Sequence, residues 1–309
     1  MRLVFAVAEK RSRPLRRAVR FTWGCYVDTR NHALPDFAIV GCSRSGTTSL
    51  FRYLEQHPLV ISSIRKEIHF FDRDKNYLQG ERWYRAHFPT RRMLARSAAE
   101  HGQRSLTGEA TPDYLFYPRA LQRMASLCSK ETRLIVLLRN PVDRAYSDYQ
   151  NNLRKGVVSL SFAEMVRPES ETFPPFPARS SHAVARGASK LLRRGIYVAQ
   201  LQALDRYLPE NPKLILFSEK FFANPQATLD GVTDFLGLPP FRLPDASARN
   251  QIRYSEPLKP DLRAALEKFF EPHNRELAAY LGTELPWKPH SNDHSHASEQ
   301  QHPDDRLPN

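Results

Sequence analysis

The sequence predicts an α/β protein, a mainly parallel, doubly wound sheet flanked by helices. Three observations carry that expectation. Short apolar runs rich in β-branched residues lie at residues 37–40, 133–138 and 214–217, too short for helices and suited to buried strands. Segments with helical spacing separate them, the alternation that builds a parallel sheet with crossover helices. The first run also passes through a turn of small residues straight into a helix, and in such sheets ligands sit at the carboxyl ends of the strands.

Taken in order, the chain of 309 residues is long enough for one large domain or two small ones. Residues 1–34 form a basic segment in which Arg11, Arg13, Arg16, Arg17 and Arg20 crowd together. A solvated face is the expectation there, with peripheral contact to a membrane surface as the alternative. Residues 35–286 carry the apolar segments of the folded domain. Residues 287–309 are polar and hold His290, His294, His296 and His302, which reads as a disordered tail rather than a metal site.

The first strand, residues 37–40, leads into Gly41-Cys42-Ser43-Arg44-Ser45-Gly46-Thr47-Thr48. The helix that follows places apolar contacts at Leu50, Phe51, Tyr53 and Leu54. Its first backbone N–H groups have no partner within the helix, and its dipole favours an anion there. Hydroxyls at Ser45, Thr47, Thr48 and Ser49 add donors, and Arg44 adds a cation. Gly41 and Gly46 keep the glycine spacing of a Walker A loop, but Thr47 stands where that P-loop motif needs lysine. The best second strand, residues 133–138, ends in Arg139-Asn140-Pro141 instead of the acid that helps hold Mg²⁺. Arginine at that position receives another anion. The expected ligand is a nucleotide with two separate phosphate groups, bound without metal.

Further along, residues 60–62 read as a short strand delivering residues 66–72, and residues 106–114 as a strand entering a turn at Pro112-Asp113. Residues 118–127 and 143–153 read as helices, with an irregular continuation over 157–166. The Pro-, Ser- and Arg-rich stretch 167–190 is a loop bordering the ligand cleft, because core-like segments resume after it. Gly195 opens a helix through Leu208, and residues 225–236 form a helix stopped by Gly237. Residues 260–281 form a closing helix.

The net charge of +13 suits a polyanionic nucleotide and an acidic partner, and no nucleic-acid motif accompanies it. Cys25, Cys42 and Cys128 have no metal or redox spacing, which fits a reducing compartment. Cys42 is expected to pack under the turn. No apolar run approaches the ~20 residues a membrane helix needs. Residues 1–8 are too short for a signal peptide and no cleavage site follows, so a cytoplasmic location is expected.

Arg44-Ser45-Gly46-Thr47-Thr48 resembles the 5′-phosphosulfate loop of sulfotransferases that use 3′-phosphoadenosine 5′-phosphosulfate (PAPS). Residues 138–149, from Leu138-Arg139-Asn140-Pro141 to Ser147-Asp148-Tyr149, are similar to their 3′-phosphate segment. Lys66-Glu67-Ile68-His69-Phe70-Phe71-Asp72, Gly80-Glu81-Arg82-Trp83-Tyr84 and Gly108-Glu109-Ala110-Thr111-Pro112-Asp113-Tyr114 extend the resemblance in the same order. Together they resemble the heparan sulfate N- and O-sulfotransferase branch over most of the chain. The resemblance implies PAPS as co-substrate, no metal, and a carbohydrate or glycolipid acceptor. It implies nucleotide contacts from Arg44, Ser45, Gly46, Thr47, Thr48, Ser49, Arg139 and Ser147, with Arg253 as a third phosphate contact from a late covering loop.

A sugar hydroxyl is a poor nucleophile while protonated, and the resemblance puts the general base at Glu67. His69 orients that base or touches the acceptor. Lys66, Trp83, Tyr84 and Asp113 stand on the acceptor side, the aromatic pair either facing sugar rings or anchoring a loop on the core. Members of the family often carry a lysine where this chain has Ala110. Either Arg44 and Lys66 supply that charge here, or the acceptor geometry differs. Two other classes stay open: a Mg²⁺-dependent P-loop nucleotide kinase, and a non-catalytic binder of acidic glycan or nucleic acid.

Overall fold

The computed structural model describes residues 29–171, 190–245 and 256–287. Four strands, β1 (Phe37–Gly41), β2 (Gly108–Ala110), β3 (Arg133–Leu138) and β4 (Lys213–Phe217), form one sheet in the order β2-β1-β3-β4. All three pairings are parallel. The chain steps from β1 to one side for β2 and then returns to the other side for β3. That reversal makes the gap between the ends of β1 and β3 the switch point of the sheet.

Alternation along β1 and β3 explains why both faces are covered. Ala38, Val40, Leu134, Val136 and Leu138 point into one apolar cluster, while Phe37, Ile39, Ile135 and Leu137 point into the other. The first face is covered by α5 (Pro118–Leu127), α6 (Pro141–Arg154), α8 (Tyr197–Tyr207) and α11 (Pro260–Leu281). The second is covered by α1 (Thr47–Leu54), α9 (Ser218–Ala223) and α10 (Pro225–Leu236). Short helices α2 (Asp74–Tyr77), α3 (Gly80–Arg85) and α4 (Arg91–His101) lie between β1 and β2 in sequence, and α7 (Phe162–Glu171) follows α6.

The expected parallel α/β sheet is present, with three local differences. Residues 60–62 make a single parallel bridge, Val60 to Leu106, rather than a strand. Residues 106–114 contribute only the three-residue β2. The segment over 157–166 is not a ragged continuation of α6; it breaks after Arg154 and restarts as α7. Gly156, just past the helix end, has a φ of 66° and leaves the helical region. The basic run within residues 1–28, most of the Pro-rich stretch, Arg253 and the histidine-rich tail lie outside the described residues. Among the described residues no helix is long and apolar enough to cross a membrane.

Candidate active site

Two turns meet at the switch point. The first follows β1. Cys42 N–H bonds the Leu137 carbonyl at 2.9 Å, so the loop starts out tied to the neighbouring strand. Gly46 (φ 93°) precedes α1, and no side chain caps the helix. The start of a helix presents backbone N–H groups and the positive end of its dipole to an anion. A Cβ at Gly46 would lie 2.7 Å from Phe222 Cζ, so only glycine fits this left-handed position. Ser45 Oγ is buried with no hydrogen-bond partner, a polar atom inside the loop still lacking a mate. Cys42 is packed beneath, its thiol pushed up to about 12 by burial, which leaves it without nucleophilic character.

The second turn follows β3. Asn140 caps α6, its Oδ1 accepting from Val142 N–H at 3.0 Å and Asp143 N–H at 3.3 Å. Glu219 fixes the same turn by accepting Asn140 N–H at 2.8 Å, and Trp287 Nε1 donates to the other Glu219 oxygen at 3.0 Å. The Tyr197 hydroxyl donates to the Arg139 carbonyl at 2.7 Å. Held this way, the Arg139 guanidinium donates to the Arg44 carbonyl at 3.1 Å. The Arg44 guanidinium reaches across to Ser147 Oγ on α6, with both Nε and Nη2 at 3.2 Å. Each turn thus lends a cation to the other. Ser218 Oγ locks the pair, its one hydroxyl hydrogen shared between the carbonyls of Ser45 and Leu138, at 2.7 and 2.8 Å.

A third group hangs on β2. Ala110 pairs with Ile39 of β1, and Glu67 N–H bonds the Ala110 carbonyl at 2.9 Å. Glu67 accepts from Lys66 Nζ at 2.6 Å and lies 3.8 Å from His69 Nε2. Asp72 takes the other ring nitrogen, Nδ1, at 2.8 Å. The imidazolium and Lys66 drive Glu67 down to about 2 against the opposing effect of burial. Burial disfavours the imidazolium, but the carboxylates of Asp72 and Glu67 outweigh it and raise His69 to about 9.

Backbone strain concentrates on the same residues. The non-glycine positions with positive φ among the described residues are Arg44 (73°), Glu67 (61°) and His69 (55°). Such conformations cost about 1–3 kcal/mol each and persist where surrounding structure imposes them. Asn76 Nδ2 does so here, donating to the carbonyls of Ile68 and His69 at 3.2 and 2.8 Å.

The geometry narrows two sequence expectations, and for Tyr84 it takes the core-anchor alternative. Tyr84 does not face an acceptor: it is fully buried, stacked on Phe70 at 4.6 Å, with its hydroxyl on Glu109 at 2.5 Å. Its phenol is needed to satisfy a buried carboxylate, so it serves as a core anchor. Asp113 is not an open carboxylate either, since Arg194 Nη1 holds it at 2.5 Å. Trp83 is half-exposed and stacks on Phe70 at 5.9 Å. Sequence reasoning missed Asp72, Arg194 and Glu109. Asp72 was visible in the Lys66–Asp72 run at helical-turn distance from His69, whereas Arg194 declares itself through a partner 81 residues away and Glu109 through its burial among the hydroxyls of Tyr84, Thr111 and Tyr114.

Two arginine-bearing turns, set at the switch point of a parallel sheet with a strained acidic group beside them, define the class: an α/β fold with its candidate site at the strand ends. The chain belongs to the sulfotransferase family, whose sulfotransferase-domain model matches residues 34–255. It is 34% identical over 218 residues to heparan sulfate glucosamine 3-O-sulfotransferase 3A1 of Homo sapiens, covering 70% of this chain and 48% of that protein. It is 30% identical over 276 residues to the human 3-O-sulfotransferase 6, covering 82% of this chain and 73% of the relative. The chain spans about half the length of the 3A1 and 3B1 relatives it matches. The crystal structure of a sulfotransferase from Alicyclobacillus acidocaldarius superposes with a TM-score of 0.61 at 29% identity, covering 82% of this chain and 98% of that one.

Proposed function

We propose that this chain transfers a sulfuryl group from PAPS to a hydroxyl or amine of a carbohydrate or glycolipid acceptor, with Glu67 as general base. The observation that carries the reading is the exchange of cations between the two turns, Arg139 onto the Arg44 carbonyl and Arg44 onto Ser147. Two anion pockets built from shared side chains suit one ligand with phosphates at both ends of an adenosine. Ser45 Oγ and the uncapped first turn of α1 fit the 5′ end. Arg139 and Ser147 fit the 3′ end, arginine by its bidentate geometry. The carbohydrate acceptor is supported by the names of the relatives, which act on heparan sulfate.

In the reaction the acceptor oxygen or nitrogen attacks sulfur in line. The bond from sulfur to the 5′-phosphate oxygen breaks, and adenosine 3′,5′-bisphosphate leaves with the electron pair. Arg44 and the loop amides stabilise the charge that gathers on that oxygen. Glu67 receives the acceptor's proton, and His69 together with Asp72 keeps its carboxylate oriented.

Incubation with labelled PAPS and a panel of polysaccharides and glycolipids, in EDTA, tests the reading. Label should enter an acceptor; no transfer from PAPS, with Mg²⁺-dependent phosphoryl transfer from ATP in its place, would point to a kinase instead. Calorimetry adds a check on the second pocket: adenosine 3′,5′-bisphosphate should bind at least tenfold tighter than AMP. Arg44→Ala and Glu67→Ala should each lower turnover by about 10²-fold or more. Only Arg44→Ala should weaken the bisphosphate strongly.

A further inference from the structure

Arg194 sits in the short 3₁₀ turn Arg193–Gly195 just ahead of α8. The turn is rigid: a Cβ on Gly195 would lie 2.8 Å from Pro141 Cβ and 2.9 Å from the Phe270 ring, so its backbone is pressed against the start of α6 and against α11. The Arg194 side chain is only 16% exposed. Its guanidinium lies over the Phe116 ring at 4.6 Å, with the Tyr117 hydroxyl at 3.4 Å and Asp113 at 2.5 Å. A buried cation so placed needs an anion, and Asp113 supplies it.

Asp113 has a second suitor. A ring nitrogen of His69 and one carboxylate oxygen each of Asp72 and Asp113 lie within 4.8 Å of one another. The charged groups facing His69 are therefore Asp72 on Nδ1, Glu67 near Nε2, Arg73 on the adjoining turn, and Asp113, behind which stands Arg194. Lys66 faces Glu67 from the other side. With Nδ1 taken by Asp72, a single N–H remains. Glu67 is the nearer carboxylate at 3.8 Å but is 45% exposed; Asp113, held beyond ion-pair distance of the imidazole by Arg194, is 25% exposed and more weakly screened by water.

We propose that Arg194 is a positioning residue: by locking Asp113 in an ion pair it reserves the free N–H of His69 for Glu67. This rests on the sulfotransferase reading for its effect on turnover, but the competition between the two carboxylates exists whatever the acceptor. In Arg194→Met, Asp113 turns to the imidazolium and Glu67 loses its orienting contact. In Arg194→Met/Asp113→Asn the competitor is neutral and the contact returns.

The expected result for Arg194→Met is a kcat lowered by about 10–10²-fold, the scale of a misplaced reacting group. KM for PAPS and affinity for adenosine 3′,5′-bisphosphate stay within about threefold, and the acid limb of kcat/KM moves to higher pH. The double variant should regain most of the turnover and the original acid limb. An unchanged kcat and acid limb in the single variant overturns the proposal, as does a double variant no better than the single. Should Arg194→Met fail to fold with its buried acid unpaired, the double variant decides by itself, because it removes both charges together. Turnover close to the parent supports an action through Asp113; a 10²-fold loss means that the guanidinium itself meets the reactants. NMR titration of His69 in the free chain reads the same competition without turnover. Its midpoint should rise in Arg194→Met, and a fixed midpoint sinks the proposal. If the parent sulfates no acceptor while that midpoint still moves, the reaction assignment fails and the carboxylate competition stands.

Discussion

At the scale of single residues, Glu67 and His69 are best read as one charge pair. Glu67 is held down to about 2 and His69 up to about 9. His69 binds a proton in the fold at pH values where the unfolded chain has lost it. Its contribution to stability is therefore full below about 6.5 and disappears as pH rises through about 9. Glu67 contributes above about 4.5, and that part is lost as pH falls toward 2. His69→Gln should flatten the decline of melting temperature on the alkaline side. It should also move the acid limb of kcat/KM upward, because Glu67 then titrates nearer the ordinary carboxylate range. A melt-versus-pH series and a pH–rate profile on the same variant check both signs. Glu67, His69 and Arg44 were readable from the sequence because each sits in a short run with its neighbours in place. Arg194 was not, since its partner Asp113 is 81 residues away and a lone arginine in an Arg-Arg pair carries no signal.

At the scale of elements, segments that bury a full apolar set were the ones the sequence disclosed. β3, α5, α10 and α11 begin and end where the apolar pattern and the flanking Pro and Gly residues indicate. α4 gave no such pattern because it buries none of its residues; its start rests on Thr90 Oγ1 accepting Met93 N–H at 3.2 Å. Residues 59–63 fell short of a strand for a related reason. They do hydrogen-bond to the β2 side, Ile61 N–H to Leu106 O at 2.9 Å and Ser63 N–H to Gly108 O at 3.1 Å, but then turn away to present Glu67. The turn between β1 and α1 makes a testable element. In Gly46→Ala the new methyl meets the Phe222 ring, and the backbone is held where Ala is strained. Calorimetry should show bisphosphate affinity down by tenfold or more. Far-UV circular dichroism should stay like the parent's, because α1 keeps its buried face of Leu50, Phe51, Tyr53 and Leu54.

At the scale of the whole molecule, the two faces of the sheet are not equally apolar. On the face covered by α5 and α6, a carboxylate of β2, Glu109, is fully buried and answered by hydroxyls: Tyr84 at 2.5 Å, Thr111 at 2.6 Å and Tyr114 at 3.3 Å. Burial raises it to about 7 despite those donors. The fold then holds a proton that the unfolded chain releases above about 4.5. This residue's effect on stability declines as pH rises from about 4.5 through 7. Glu109→Gln should remove that slope in urea titrations across the interval, and a slope equal to the parent's would show that other groups cause it. The same hydroxyl ring bears on the site, since Tyr114 also accepts Phe70 N–H at 3.0 Å and Thr111 Oγ1 meets His69 N–H at 3.5 Å.

The left-handed backbone at Arg44 has a thermal corollary. Arg44 is wound against its own preference and set beside a second arginine, so the empty protein is less durable than its fold alone would permit. Asparagine tolerates that winding and carries no charge. Arg44→Asn, expected to lose transferase activity, should melt at or above the parent temperature in plain buffer, by about 2 °C per kcal/mol relieved. With excess adenosine 3′,5′-bisphosphate the ranking should invert, because only the parent gains from occupancy. Heat tolerance and competence pull in opposite directions at this one position.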